Sequence, residues 1–297
     1  MSNSPSFKYE EAFKRNFGFL SKAEQEVLRK SRVAVAAAGG AGSAQVHVLA
    51  RLGIGAFHLA DPDVFEMSNF NRQTGAAMAT IGRSKVDVAR EIVAGINPEA
   101  DARLFYEGVS EATIDPFLEG VDIVIDSLDF YCFKERFLLY RAARERGLWV
   151  LTAPPLGFGF SLIMFDPKGM TFEEYFGFSP EDSLEDLTVS LVAGIAPPVS
   201  LVAGNAPRPL FFEYLDRNGL SFGEGRLPSV SPAPMMLAGA IATEVVNLLT
   251  KKYTPLPAPI MFQFDAMLHY YHRGEYRWSK ETKANVRDQL RQLQSGA

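Results

Sequence analysis

The sequence has few of the features that mark secreted, zinc-clipped or nucleic-acid-binding proteins. It contains one cysteine, Cys132, which excludes an internal disulfide and a cysteine-based zinc site. The formal net charge is -5, which argues against a broad nucleic-acid surface, although it leaves a local basic patch open. We therefore expect no zinc, and the composition disfavours a nucleic-acid partner.

The sequence also lacks the marks of export or membrane insertion. Its first residues, MSNSPSFKYEEAFKR, are polar and carry charges of both signs, unlike a signal peptide. The most apolar late stretch, Met235 to Leu249, is interrupted by Glu244 and is short for a bilayer span. We therefore expect a cytoplasmic protein without a membrane partner.

Short apolar runs alternate with helical segments through the first half of the chain. The 297 residues, 47% of them hydrophobic and 22% charged, suit one large α/β domain or two small ones. The predicted strands are 32–37, 56–60, 102–106, 121–125, 149–152 and 159–165, and the predicted helices are 43–52, 84–96 and 133–146. This order predicts an α/β fold with a doubly wound, mostly parallel, Rossmann-like sheet after an N-terminal helical segment.

The pattern changes after about residue 154, where proline, glycine and phenylalanine become frequent. Residues 166–232 give no clear elements and contain a small repeat, SLVAGIAP from Ser190 and SLVAGNAP from Ser200, to which we assign no function. The aromatic run FEEYFGF, 172–178, is interpreted as packing over the sheet rather than as a substrate lid. Further on, the sequence predicts a buried helix at 234–249, strands at 260–264 and 269–276, and a charged helix from Ser279.

A glycine-rich turn follows the first predicted strand, within VAVAAAGGAGSAQVHVLARLG. Gly39, Gly40 and Gly42 remain of a dinucleotide-binding pattern whose first glycine is replaced by Ala37. Glycines at such a turn let the backbone approach a phosphate, and the following helix offers free N–H groups and a positive dipole end. The turn therefore predicts a phosphate-binding site.

Asp61 lies at the end of the next predicted strand, about 20 residues further on. A carboxylate at this position accepts hydrogen bonds from ribose hydroxyls. The turn and Asp61 together suit an NAD(P)-dependent dehydrogenase as well as an ATP-binding enzyme. A tight turn without a ligand is the third interpretation that these residues alone allow.

A dense polar cluster then follows Asp61, in DPDVFEMSNFNRQTGAAMATIGRSK. The cluster consists of Ser68, Asn69, Asn71, Arg72 and Gln73. Such a run is costly to bury unpaired, so it is either a solvated loop or a site. Arg72 and Lys85 supply a planar fork and a mobile point charge, both suited to a triphosphate.

Two aspartates end the predicted central strand, in DIVIDSLD. Ligands of an open α/β sheet bind at this carboxyl edge, where Asp126 and Asp129 lie. A carboxylate facing phosphates would repel them unless a bound Mg²⁺ bridges the two. Asp129 is therefore the candidate magnesium ligand.

The strings SNFNRQ, IGRSK, INP and D-x-x-D occur together in this sequence. Their order and spacing are those of the ThiF/MoeB/HesA family, relatives of the ubiquitin-activating enzymes, and the sequence resembles that family. The resemblance covers roughly residues 16–167. It implies a single ThiF-like domain over 1–297, with a nucleotide-binding half at 1–165 and a divergent substrate and dimer half at 166–297. It also implies that the parallel sheet continues into a mixed sheet.

The resemblance implies a role for each matching residue. Asp61 would hold the ribose, Asp129 would hold Mg²⁺, and Arg15 would reach the ATP of the partner subunit in a homodimer. The phosphates would lie among Gly39, Gly40, Gly42, Asn69, Arg72, Gln73 and Lys85.

The implied activity is ATP-dependent adenylation of a carboxylate with release of pyrophosphate. The acceptor would be the C-terminal glycine of a ubiquitin-like or sulfur-carrier protein, a peptide, a small molecule or a carboxylate on modified tRNA, although the acidic composition argues against the tRNA. This chain departs from the family at Ala37, at Phe130 after Asp129, and in lacking a C-x-x-C zinc clip. It also lacks a late nucleophilic cysteine, so Cys132 is interpreted as a packing residue.

Two other functions stay open. The chain could be a non-catalytic nucleotide-binding partner, such as the inactive half of a heterodimer, although Arg72, Lys85 and Asp129 together argue against this. It could be an NAD(P)-dependent oxidoreductase, which would leave the Asn-Arg-Gln cluster unexplained.

Overall fold

A computed structural model of the chain describes residues 6–201, 207–216 and 228–295. The chain forms two compact units, the first made of Met1–Ser127 with Ala238–Pro255, the second of Leu128–Leu237 with Leu256–Ala297. The division into a nucleotide-binding half at 1–165 and a substrate half at 166–297 stays a prediction. The strand at 149–152 pairs antiparallel with the strand at 159–165, which in turn pairs antiparallel with a late strand of the chain.

The first unit contains a parallel sheet of four strands in the spatial order β3-β2-β1-β4. Its strands are β1 (Arg32–Ala36), β2 (Ala56–Ala60), β3 (Asp101–Phe105) and β4 (Ile123–Asp126). β2 and β4 are buried along their whole length, as continuous apolar runs in a parallel sheet require. The parallel, doubly wound prediction is therefore confirmed for this part of the chain.

Five helices accompany these strands: α1 (Tyr9–Ala12), α2 (Lys22–Lys30), α3 (Gly40–Leu52), α4 (Lys85–Ile96) and α5 (Ile114–Leu118). α2 begins with a reciprocal capping box between Ser21 and Glu24, which satisfies two backbone donors at the helix start. α3 begins three residues before the predicted Ser43 because the glycines of the turn already adopt helical geometry. The N-terminal helical segment is present as α1, a 3-10 turn and α2.

Two residues fix the close approach of α3 to the end of β1. A Cβ atom added to Gly42 would lie 1.9 Å from the carbonyl oxygen of Ala37, so only glycine fits there. Ala37 itself has a φ of 75°, in the left-handed region that costs a non-glycine residue about 1–2 kcal/mol. The turn therefore keeps the backbone of a glycine turn although one glycine is replaced.

The second unit contains antiparallel strands in the order β5-β7-β8-β9, with β6 paired to β7. They are β5 (Trp149–Thr152), β6 (Pro155–Leu156), β7 (Gly159–Phe165), β8 (Ile260–Asp265) and β9 (Tyr270–Glu275). The helices of the second half are α6 (Phe133–Glu145), α7 (Phe172–Phe176), α8 (Leu184–Ile195), α9 (Pro232–Thr250) and α10 (Lys280–Ser295).

The described part of residues 166–232 contains two α-helices that the sequence did not predict. The aromatic run at 172–178 forms α7, whose Phe172, Tyr175 and Phe176 are buried, in agreement with a packing role. The first repeat copy starts at Ser190 within α8. Most of the second copy lies outside the described residues.

Among the described residues, α9 is the helix that is long and apolar enough to span a membrane. It has 19 residues and a mean hydropathy of 1.4, and so is longer than the stretch that the sequence indicated. Its Leu237, Ile241 and Val245 are fully buried. Helices of this length and composition also occur in the cores of globular proteins.

The close contact at Gly42 predicts a specific loss of stability. Gly42→Ala should lower the free energy of unfolding by about 1–3 kcal/mol, because the added methyl group overlaps the Ala37 carbonyl. The matched control is Gly95→Ala in α4, where an added Cβ meets nothing within 4 Å and helix propensity should add about 0.5–1 kcal/mol. Thermal unfolding followed by circular dichroism measures both, and equal midpoints would contradict the packing argument.

Candidate nucleotide site

The register of the parallel strands places three chain segments at one edge of the first unit's sheet. Ala36 of β1 is level with Ala60 of β2 and with Asp126 of β4. The glycine turn and Asp61 therefore leave the sheet side by side. This is the carboxyl edge at which open α/β sheets bind ligands.

The N-terminus of α3 lies at this edge without a side-chain cap. Its N-cap residue is Gly39, and the described part of the chain shows no side-chain cap hydrogen bond at this helix start. The first N–H groups of a helix have no partner inside the helix, and together with the dipole they favour an anion. α3 thus offers a phosphate-binding end.

Asp61 holds the glycine turn in place. Its carboxylate accepts a 2.7 Å hydrogen bond from the Ala38 N–H and a 2.8 Å bond from the Asp63 N–H. The side chain is only 3% exposed. Burial raises the pKa of the Asp61 carboxyl, while the positive charge of Lys85 and the two N–H bonds oppose the rise.

Lys85 is a buried cation at the first residue of α4. It is 6% exposed, and its Nζ lies 2.7 Å from Oδ2 of Asp63, whose side chain is 65% exposed. The Lys85 N–H also donates to the Asp63 carbonyl at 3.0 Å. A positive charge at a helix N-terminus opposes the helix dipole, so this lysine depends on nearby anions.

The polar cluster after Asp61 folds back over the first turn of α3. Gln73 is 6% exposed, and a Cβ atom at Gly39 would lie 4.0 Å from its Nε2. Ser43 ties the two segments together, since its hydroxyl donates to the Gly39 carbonyl at 2.6 Å and accepts from the Thr74 N–H at 3.2 Å. The structure thus brings Gln73 to the glycine turn, as the sequence suggested.

Two polar atoms, one on the last residue of this cluster and one on the residue after it, are buried without a hydrogen-bond partner among the described residues. They are Oε1 of Gln73 and Oγ1 of Thr74. Buried polar atoms of native proteins are nearly always paired, so each exception needs an explanation. A ligand with donor and acceptor groups at the start of α3 supplies one.

The other predicted residues of the first unit are a buried asparagine and two arginines. Asn69 is buried, and its Oδ1 accepts from the Glu66 N–H at 3.0 Å, which shapes the loop. Nη1 of Arg72 donates to the Ser68 carbonyl at 3.0 Å and to Asn71 Oδ1 at 2.9 Å. Arg15 is exposed on a 3-10 turn. Their nucleotide contacts stay predictions.

Asp129 belongs to the second unit and is exposed. One carboxylate oxygen accepts the Phe130 N–H at 2.7 Å. Mg²⁺ binds through one or two carboxylates together with substrate phosphates and waters, and a single exposed carboxylate fits that requirement. Within the described ranges, no group of three His, Cys, Asp or Glu side chains could hold a metal by itself.

Cys132 directly precedes α6 and is half-buried. Burial raises the pKa of its thiol above the ordinary value, so the thiolate that a nucleophile needs is disfavoured. This agrees with a packing role.

Sequence reasoning missed three residues of this site: Ser43, Asp63 and Thr74. Asp63 carried a signal, since it lies in the same D-x-D string as Asp61 and pairs with the lysine already singled out. Ser43 and Thr74 act through contacts between distant segments, for which the local sequence holds no signal.

Comparison with known proteins identifies the family to which this site belongs. The sequence profile of the ThiF family matches residues 13–285. The chain belongs to the ThiF family. The match reaches well beyond the residues on which the sequence resemblance was based, and it confirms that resemblance.

Individual relatives match part of this ThiF family chain. A tRNA threonylcarbamoyladenosine dehydratase of Bacillus subtilis is 40% identical over 126 residues, or 41% of this chain and 48% of that protein. The SAMP-activating enzyme E1 of Haloferax volcanii is 29% identical over 171 residues, or 57% of this chain and 63% of that protein. The chain therefore spans about half to two thirds of the length of these curated relatives.

A solved structure shares the fold over most of the chain. Escherichia coli MccB, crystallised with ATP, superposes with a TM-score of 0.66 at 17% identity, covering 94% of this chain and 73% of that one. This likeness confirms the predicted ThiF-like fold class.

The burial of Asp61 predicts its titration. We expect its carboxyl to titrate above 3.8, the ordinary pKa of an aspartate, because burial disfavours the charged form. Its contribution to stability is then full below pH 3.8 and is lost as pH rises through the folded-state pKa. Lys85→Met should raise the pKa further. Carbon-detected NMR of the Asp61 carboxyl measures both, and a midpoint at or below 3.8 would contradict the argument.

Proposed function

We propose that this chain is an ATP-dependent adenylyltransferase that activates a carboxylate as an acyl-adenylate and releases pyrophosphate. The observation that carries the proposal is the uncapped start of α3 beneath the unpaired polar atoms of Gln73 and Thr74, with Lys85 buried nearby. Membership of the ThiF family supports it. The MccB structure with bound ATP shows that this fold accommodates the nucleotide in that protein.

The reaction is an in-line displacement at the α-phosphorus of ATP. A carboxylate oxygen forms a bond to this phosphorus, the bond to the bridging oxygen breaks, and its electron pair leaves with pyrophosphate. A carboxylate with an ordinary pKa of about 4 is already ionised at neutral pH, so no general base is needed. The obstacle is the approach of an anion to a polyanion.

The chain's own residues lower that electrostatic barrier. The start of α3 and the Lys85 ammonium stabilise negative charge on the phosphates, and the Arg72 guanidinium can bind two phosphate oxygens at once. Asp61 has further acceptor positions beyond its two N–H bonds, which suits it to the ribose hydroxyls. Asn69 and Gln73 add amide groups beside the phosphates.

Mg²⁺ and a second subunit complete the proposal. Asp129 would hold Mg²⁺, which when bound neutralises part of the phosphate charge. Arg15 is exposed and would reach the nucleotide of the partner subunit in a homodimer. We place the enzyme in the cytoplasm and expect no zinc, on the same sequence grounds as above.

The acceptor is proposed as a protein or peptide C-terminus or a small carboxylic acid. The Haloferax volcanii relative, named as a SAMP-activating enzyme, favours a protein C-terminus such as the terminal glycine of a ubiquitin-like or sulfur-carrier protein. The absence of a late cysteine in the sequence indicates that the reaction ends at the adenylate or passes to an external nucleophile.

A second acceptor is favoured by one observation. The Bacillus subtilis relative is named for threonylcarbamoyladenosine in tRNA, a modification whose threonyl group ends in a carboxylate. The same adenylation chemistry would act on it. The net charge of -5 opposes binding of the tRNA backbone, so a protein, peptide or small carboxylate ranks first.

Removal of Lys85 tests the electrostatic mechanism. Lys85→Ala should lower the rate of acceptor-dependent ATP–pyrophosphate exchange by about 10²–10³-fold, because a charge that stabilises the transition state is lost. The control is Lys30→Ala, since Lys30 has a 74% exposed side chain paired with Glu26 and should keep wild-type exchange.

Calorimetric titration with Mg-ATP separates an enzyme from a non-catalytic partner. Weak or absent binding of Mg-ATP would favour the non-catalytic partner, because a degenerate site should not hold the nucleotide. No exchange with any acceptor would contradict the enzymatic proposal. Binding of NADH in place of ATP would favour the oxidoreductase.

A further inference from the structure

The second unit contains an apolar cavity that the nucleotide chemistry does not use. Its volume is about 250 Å³, below the range of about 300–1,000 Å³ typical of drug-sized ligands. The described residues that line it include six aromatic side chains: Phe130, Tyr131, Phe158, Phe211, Phe212 and Tyr214. A space of this size and character suits one aromatic or branched aliphatic group.

The cavity wall is continuous with the proposed magnesium ligand. Phe130 and Tyr131 line the cavity, and they follow Asp129 directly in the chain. The Phe130 N–H donates to Asp129 Oδ1 at 2.7 Å. One short segment thus carries both the carboxylate expected to hold Mg²⁺ and the first wall of the cavity.

Charge determines which end of a ligand the cavity accepts. Among the described lining residues, the charged one is Asp216, and no lysine or arginine contributes. A ligand carboxylate would therefore be repelled and left unpaired inside. An uncharged apolar group is accepted instead.

A hydrogen-bonded tyrosine keeps the aromatic wall in place. The Tyr214 hydroxyl donates to Asp265 Oδ2 at 2.6 Å and accepts from the Phe158 N–H at 3.0 Å. Its polar end is therefore satisfied within the protein, and burial raises the pKa of this hydroxyl. A Cβ atom at Gly157 would lie 2.2 Å from the hydroxyl oxygen, so glycine at 157 preserves the arrangement.

We infer that this cavity binds the side group of the substrate, so that the activated carboxylate belongs to a molecule with an apolar or aromatic group beside it. The inference rests on the proposed function and narrows its acceptor. A C-terminal glycine has no side chain to fill the cavity. A peptide ending in an aromatic or branched residue fills it, and so does a small arylalkanoic acid.

The first experiment measures the cavity without nucleotide. Saturation-transfer NMR should show phenylpropanoate bound to the wild-type protein and acetate not bound. Thr188→Phe places a ring into the cavity from the half-buried face of α8 and should abolish the signal. The matched control is Thr243→Phe, at an exposed position of α9 outside the cavity, which should keep it.

The second experiment measures selection during catalysis. With two peptides that differ only at the C-terminus, ATP–pyrophosphate exchange should show a KM about 10–200-fold lower for phenylalanine than for glycine, as the filling of a hydrophobic pocket implies. Thr188→Phe should remove this difference by raising the KM of the phenylalanine peptide alone. Exchange with phenylpropanoate would identify a small carboxylic acid as the substrate. Exchange with the peptide but not with phenylpropanoate would identify a peptide C-terminus.

A second variant guards against misfolding of the first. Phe211→Ala enlarges the cavity and should shift binding from phenylpropanoate toward naphthylpropanoate, with the circular dichroism spectrum unchanged. Equal KM values for the two peptides, unaltered by either variant, would overturn the inference and leave the proposed adenylation intact. Selective binding of phenylpropanoate without any exchange would do the reverse, supporting the apolar site and contradicting adenylation.

Discussion

The hydrogen bond from the Ala38 N–H to the buried carboxylate of Asp61 is the contact on which the candidate site depends. It joins the turn after β1 to the end of β2, and the start of α3 follows that turn. Because Gly42 allows α3 to pass directly over Ala37, the first N–H groups of the helix are held at the sheet edge. Without this junction the first N–H groups of α3 would not be held at the sheet edge.

The site holds its charges in an arrangement that a polyphosphate would complete. Lys85 is buried at a helix start, where the dipole disfavours a cation, and its close partner Asp63 is largely exposed. Asp61 is buried although charge is costly there. An incoming phosphate would give Lys85 a second anionic partner and would give the α3 N–H groups an acceptor. The same groups thus account for the Lys85–Asp63 ion pair and for the proposed affinity for a polyphosphate.

Much of this could be predicted because the relevant signals are local. β2, β5 and β7 match the predicted residues, since continuous apolar runs bounded by turns define buried strands. Asp61 was singled out by its position after the strand that follows the glycine turn, and Gln73 and Lys85 by the polar run and the cation that come after it. α7 and α8 were missed because aromatic and small apolar residues mask their periodicity, although their capping boxes were present. Ser43 and Thr74 act only through tertiary contact. The roles of all the candidate site residues, Arg15 and Asp129 included, are still predictions.

The alanine at position 37 has a consequence for ligand binding itself. A glycine there could sample many backbone conformations before a nucleotide arrives, whereas the Ala37 methyl group restricts that sampling. The Ala37 N–H also donates to the Ala60 carbonyl at 2.7 Å, which holds the less common conformation. The loop is thereby preorganised, and less conformational entropy is lost when a ligand binds than in a protein with glycine at this position.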